Sequence, residues 1–240
     1  MSMEQKQIYE QAGVAMTSRS FAEYEKMFML QTEQLQGRRV LDVAGGASSF
    51  TTEARKLGIL SEAVDPLYEK SSEEIDKHGR QEIELVAAKM EKLQKVYDWT
   101  FYGSLQNHTA GRVKSLERFV EDFSSYDGEA RYHAACLPVL PFEQESFDLV
   151  LCSHFLFLYE EQFDYNFHLA AVRELIRVAK SGGEVRIYPL LSFRTEEYSR
   201  LPDLINELTN AGYLVEKREA SLPFLPNSHQ YLSIIKMASA

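Results

Sequence analysis

Four places in the sequence carry side chains or backbone that could act together on a ligand. The first is Asp42-Val43-Ala44-Gly45-Gly46-Ala47-Ser48. Its small residues follow directly on an apolar run and let the backbone approach a ligand without a Cβ clash. The second is Asp65-Pro66, about 20 residues further on, the interval at which a carboxylate accepts hydrogen bonds from the hydroxyls of a ribose. The alternative role for Asp65 is a helix N-cap. The third is His154, which follows the strongly apolar segment 147–152. A neutral imidazole there is a candidate general base, and the alternative is a histidine satisfied between sheet and helix. Ser153 and Phe155 flank it, while Tyr159 reads as core. The fourth is the N-terminal segment, with Tyr9, Arg19, Phe21 and Tyr24. Arg19 is a candidate for binding a carboxylate, and an aromatic face there suits a cation. Packing of this segment on the body of the protein is the competing role.

These groups need elements to hold them. Segment 1–37 reads as helical, opened by the capping box Ser20/Glu23, with Phe21, Tyr24, Phe28 and Leu35 on one face and Gly37 at the end. Residues 39–43 read as a buried strand, and 50–57 as a helix capped by Ser48 and closed by Gly58. A second strand is expected at 60–64, giving strand, small-residue loop, helix, strand: the start of a βαβ unit. Residues 67–128 are longer than a crossover needs. Ile83, Val86, Met90, Leu93 and Tyr97 follow helical spacing, as do Val113, Leu116, Val120 and Phe123, so the spacing predicts an inserted helical region. Trp99, Phe101, Tyr102 and His108 fall in a turn between its helices, suited either to a ligand or to packing the insert down. Strands are then expected at 130–135, 147–152 and 184–188, with helices at 163–179 and 202–210. The Ser181-Gly182-Gly183 break separates the first helix from the strand at 184. Final strands at 213–217 and 230–236 are joined by a loop too short for a crossover helix, so they should run antiparallel.

With these residues in view, the chain resembles class I, Rossmann-like methyltransferases over about residues 38–190. Four motifs carry the resemblance: Val40 to Ser48, Ala63-Val64-Asp65-Pro66, Leu140-Pro141-Phe142 through Val150, and Arg173 through Gly183. The family usually places three alternating glycines in the first motif; only Gly46 is kept, with Ala44 and Ser48 at the flanks and Gly45 between. The resemblance implies an α/β fold: a Rossmann-like three-layer sandwich with a mostly parallel seven-stranded sheet, a C-terminal antiparallel hairpin and the helical insert after the second strand. It implies S-adenosylmethionine as cofactor, held by Asp42, Ala44, Gly45, Gly46, Asp65, Pro66 and Ser153, with Arg19 on its carboxylate. In relatives an acidic residue touches the adenine where Cys136 stands here, and the backbone N–H of Leu137 serves the same ring. A nicotinamide-binding Rossmann protein would want Gly-x-Gly-x-x-Gly, and Ser49 and Phe50 occupy that region instead.

Bulk properties narrow the partners. The chain has 240 residues and a net charge of −10, which suits one elaborated α/β domain and argues against a phosphate backbone as partner. Two cysteines, Cys136 and Cys152, match neither a redox pair nor a zinc cluster, and the histidines show no metal spacing. The polar N-terminus and the absence of a long apolar run point to the cytoplasm, away from a membrane. A small-molecule acceptor is the first expectation. Methylation of RNA or protein, or a non-catalytic protein that kept the fold, are the alternatives.

Overall fold

The computed structural model describes residues 15–237. Seven strands form one sheet: β1 (Arg39–Val43), β2 (Leu60–Val64), β3 (Tyr132–His133), β4 (Phe147–Ser153), β5 (Ala179–Tyr188), β6 (Leu214–Glu219) and β7 (Gln230–Ile235). Their order is β3-β2-β1-β4-β5-β7-β6. The first five run parallel, and β7 is antiparallel to both β5 and β6. The sheet is the mostly parallel, Rossmann-like one with a C-terminal antiparallel hairpin.

Alternation along the central strands builds the layers, because successive side chains point to opposite faces. Leu41, Val43, Val150 and Cys152 pack with α6 (Tyr165–Val178) and α7 (Leu201–Asn210) through Val172, Leu175 and Leu204. Val40, Leu149 and Leu151 pack on the other side, with α1 (Phe21–Phe28) and α3 (Phe50–Lys56). There Tyr24 stacks on Phe50 with ring centroids 4.4 Å apart. The insert supplies α4 (Ser72–Lys92) and α5 (Leu105–Phe123), whose Ile75, Ile83, Leu116 and Phe119 form a third cluster with Ala63 and Tyr132.

Several boundaries differ from the sequence reading. The helix from Ser20 keeps its capping box but stops at Met29, which adopts φ 51°; a separate α2 (Thr32–Leu35) follows. Ser49, not Ser48, stands at the N-cap of α3, although Ser48 Oγ accepts from Phe50 N at 3.1 Å. The strand expected at 130–135 pairs only at Tyr132 and His133, at the sheet edge. β5 begins at Ala179 rather than 184, because Gly182 and Gly183 exchange hydrogen bonds with Lys236 and carry the strand through a bulge. His108 lies on α5, not in the turn before it. Tyr9 and the start of the N-terminal segment lie outside the described residues. Among the described residues, no helix is long and apolar enough to cross a membrane.

Candidate active site

The strand order turns at β1 and β4: β2 follows β1 outward on one side, β5 follows β4 on the other. In open α/β sheets the crevice beyond the C-terminal ends of such strands receives the ligand. Those ends are Val43 and Ser153, so the 44–48 loop and His154 meet there by topology.

A cavity of about 310 Å³ opens at this point. Arg19, Ala44, Gly45, Gly46, Asp65, Pro66, Ser153 and His154 all line it, with Tyr24 and Phe155. Gly46 adopts φ +55°, a conformation that glycine takes without cost, and Tyr68 Oη donates to its carbonyl at 2.9 Å. Gly45 is confined differently: a Cβ there would lie 3.0 Å from both Asp42 Oδ2 and Tyr68 Oη. Ala44 also sits at φ 56°. An L side chain in that region costs about 1–2 kcal/mol, so Ala44→Gly should raise stability by about 1 kcal/mol and the melting temperature by a few degrees. A fall in melting temperature would contradict this reading of the loop.

Asp65 accepts from Leu67 N at 2.8 Å and from Gly46 N at 3.0 Å, so it both caps the turn Pro66–Glu69 and holds the loop. Two of the roughly four lone-pair sites of a carboxylate remain for a ligand. Burial pushes its pKa up, and the two backbone N–H groups pull against that rise.

Asp42 is 1% exposed, lying beneath the loop and outside the cavity wall. Tyr24 Oη stands 3.0 Å from each of its carboxyl oxygens. Burial raises Asp42 to about 8, with the Asp65 charge adding to the rise and the Tyr24 hydrogen bond opposing it. The folded protein thus keeps the proton where the unfolded chain, near pH 4, has lost it. Stability falls as pH rises from about 4 to about 8, by on the order of a few kcal/mol from this group. Asp42→Asn removes that dependence, so its stability should improve against wild type across the window. Parallel pH profiles in chemical denaturation would contradict this.

His154 adopts φ 51° and donates its N–H to Tyr188 O at 2.6 Å. Its Nδ1 lies 2.9 Å from Ser153 Oγ, which also stands 3.8 Å from Met27 Sδ. Among the described residues Nε2 makes no hydrogen bond. Burial, then Arg19 and Arg112, hold the ring well below its ordinary pKa, so it is neutral at pH 7.

Arg19 gives its backbone carbonyl to Ser48 Oγ, Ser49 N and Ser115 Oγ. Its guanidinium makes no hydrogen bond or ion pair among the described residues and faces the cavity. Behind it, Arg112 and Glu23 form a buried pair at 2.7 Å, and Arg112 also donates to Ser18 O at 2.8 Å.

A second cavity, of about 170 Å³, adjoins the first and shares Met16, Thr17, Arg19 and His154 with it. Its far wall is apolar and comes from α4, from Leu158 and from the 193 and 224 loops. Tyr159 is buried as core, yet its hydroxyl accepts from Ala15 N at 2.7 Å and its ring reaches this wall.

Three residues expected to hold the cofactor, Asp42, Cys136 and Leu137, are not brought to either cavity. Cys136 is exposed, because the chain turns after β3 and Val139 N bonds back to Cys136 O at 3.2 Å. Leu137 is turned into the core. The sequence reading missed Met16, Thr17, Lys70, His78 and Arg112; only Arg112, a charge among the apolar positions of a helix, gave a signal. The turn aromatics pack the insert down: Tyr97 stacks on Phe224 at 4.9 Å and Trp99 meets it edge-on. Among the described residues no group of three metal-ligating side chains comes together.

Residues 123–187 match the family model described as a methyltransferase domain. An uncharacterized protein of Methanocaldococcus jannaschii is 30% identical over 190 residues, covering 79% of this chain and 83% of the relative. Among solved structures, magnesium protoporphyrin IX methyltransferase from Synechocystis, with bound S-adenosylmethionine, is 12% identical with a TM-score of 0.48, covering 96% of this chain and 88% of that one. A didemethyltoxoflavin N1-methyltransferase from Burkholderia thailandensis is 14% identical with a TM-score of 0.47, covering 90% and 78%.

Proposed function

We propose, from the premise that the chain belongs to the class I, Rossmann-like S-adenosylmethionine-dependent methyltransferase family, that it methylates a small-molecule acceptor in the cytoplasm. The observation that carries this is the pair of adjoining cavities with one common wall. When bound, the cofactor supplies an electrophilic methyl group on a sulfonium.

The residues present fit that cofactor. Asp65 has lone pairs left for the ribose hydroxyls, and Arg19 has a guanidinium unengaged among the described residues, suited to the methionine carboxylate. Gly45 and Gly46 allow close backbone approach. His154, at the junction, is a neutral imidazole placed to take a proton from the acceptor. The setting of the second cavity, between insert and body, suits a small molecule better than a nucleic acid or protein chain, as does the acidic charge.

Methyl-labelled cofactor incubated with a fractionated cell extract tests this reading. Label should enter the small-molecule fraction in proportion to enzyme. Label confined to protein or RNA would overturn the acceptor class, and none anywhere would favour a non-catalytic role.

A further inference from the structure

We propose that the acceptor carries, away from the atom that is methylated, an uncharged group of the hydroxyl type that hydrogen-bonds His108 in the second cavity. The inference deepens the small-molecule reading above and rests on it.

Trp99, Tyr102 and His108 suit either a ligand or packing on sequence grounds, and the structure divides them. His108 lies one turn before Arg112 on α5 and is 3% exposed. Other rings hold it: it stacks on Phe224 with centroids 5.3 Å apart, and Tyr102 and Trp99 meet it edge-on at 4.7 and 6.2 Å. Such neighbours fix an imidazole without satisfying its nitrogens. Nδ1 is buried with no hydrogen-bond partner, and among the described residues Nε2 makes no hydrogen bond either. A phenylalanine would fill this setting equally well, so packing alone leaves the two nitrogens unexplained.

The cavity says what would meet them. His108 lines the second cavity and not the crevice beside Gly46, so the group it binds is distinct from the one at the common wall of Arg19 and His154. Much of the remaining wall is apolar, with Ile83, Val86 and Met90 from α4. Arg112 is already engaged by Glu23 at 2.7 Å and by Ser18 O at 2.8 Å, and Glu82 is half-buried on α4. A pocket of this kind takes an apolar body and fixes its orientation through a few polar contacts.

The character of the group follows from the imidazole. A neutral ring offers one donor and one acceptor whichever nitrogen carries the proton. Burial holds the His108 pKa down to about 3, with Arg112 and Arg19 adding to the fall and Glu23 opposing it, so the ring is uncharged at pH 7. An ammonium only donates and a carboxylate only accepts, and either charge is costly among aromatic rings. A hydroxyl both donates and accepts, so it meets His108 in either tautomer.

The test uses the full chain saturated with S-adenosylhomocysteine, whose own binding is read first by calorimetry. Equilibrium dialysis then compares 2-naphthylmethanol with 2-ethylnaphthalene, 2-naphthylmethylamine and 2-naphthoate. The alcohol should bind at least about tenfold more tightly than each of the others. His108→Phe keeps the stack on Phe224 and removes both nitrogens. It should bind the alcohol about tenfold more weakly and the hydrocarbon within about twofold of wild type, with no fall in melting temperature. In the wild type labelled with 15N-histidine, the ring signals absent from the variant should shift with the alcohol and stay with the hydrocarbon. Failure of S-adenosylhomocysteine to bind would overturn the parent reading. With it bound, equal binding of alcohol and hydrocarbon would mean that water satisfies the ring, and would overturn the inference. So would preference for the amine or carboxylate, absence of alcohol binding, or a variant that melts several degrees lower, which would give the nitrogens a structural role. The wild-type comparison decides the matter even where the variant does not fold.

Discussion

An Asp65→Ala variant is expected to bind S-adenosylhomocysteine at least about 100-fold more weakly than the wild type, through loss of two charge-assisted hydrogen bonds worth about 1.5–3 kcal/mol each. The same carboxylate fixes Gly46 N and Leu67 N, so some of the loss would come from a loosened loop. Asp65→Ser separates the two contributions. Serine remains a competent cap for the turn Pro66–Glu69, yet cannot bridge two vicinal hydroxyls. The serine variant should keep the melting temperature and still lose most of the affinity. A serine variant that binds as tightly as the wild type would reduce Asp65 to a cap. Because burial raises the carboxyl pKa and the ionised form accepts the hydroxyls, affinity should also weaken as pH falls through that raised range.

Arg112→Leu should lower stability at pH 7 by about 3–5 kcal/mol, since it leaves the Glu23 carboxylate buried without its main partner. Burial alone would push Glu23 up; Arg112 and then Arg19 reverse this, and its carboxyl titrates below the ordinary range. In the wild type this pair contributes stability that is present above the unfolded pKa and lost as pH falls through the folded one. Without Arg112 the carboxyl does better protonated, so the deficit should shrink toward pH 4. Glu23→Gln combined with Arg112→Leu should recover part of the loss. A deficit below about 1 kcal/mol, flat with pH in chemical denaturation, would contradict this account. The pair matters to the site because Arg112 and Ser115 both hold the 18–19 backbone, the wall common to the two cavities.

The central strands were legible because their periodicity is unambiguous: 39–43, 60–64 and 147–152 are apolar runs bounded by small or turn-forming residues. The antiparallel end of the sheet followed from loop length alone. Topology then brings the 44–48 loop, Asp65 and His154 to one crevice, as the sequence reading places them. Cys136 fell outside because a two-residue edge strand does not hold the chain in extended register. The second cavity was illegible for a different reason. Ile83, Val86 and Met90 have the spacing of a core face, and periodicity does not distinguish a face covered by protein from one that fronts a cavity. Arg19 was visible as a charge, but its lack of a partner among the described residues depends on Arg112 claiming Glu23 across the fold.

The measurement that bears most directly on the account is calorimetric titration of S-adenosylhomocysteine into the wild-type chain. One site per chain is expected, with micromolar or tighter affinity, reduced by Asp65→Ser and by Arg19→Gln. Absence of binding up to millimolar ligand, or binding that neither substitution changes, would contradict the assignment of the crevice beside Gly46 as the cofactor site.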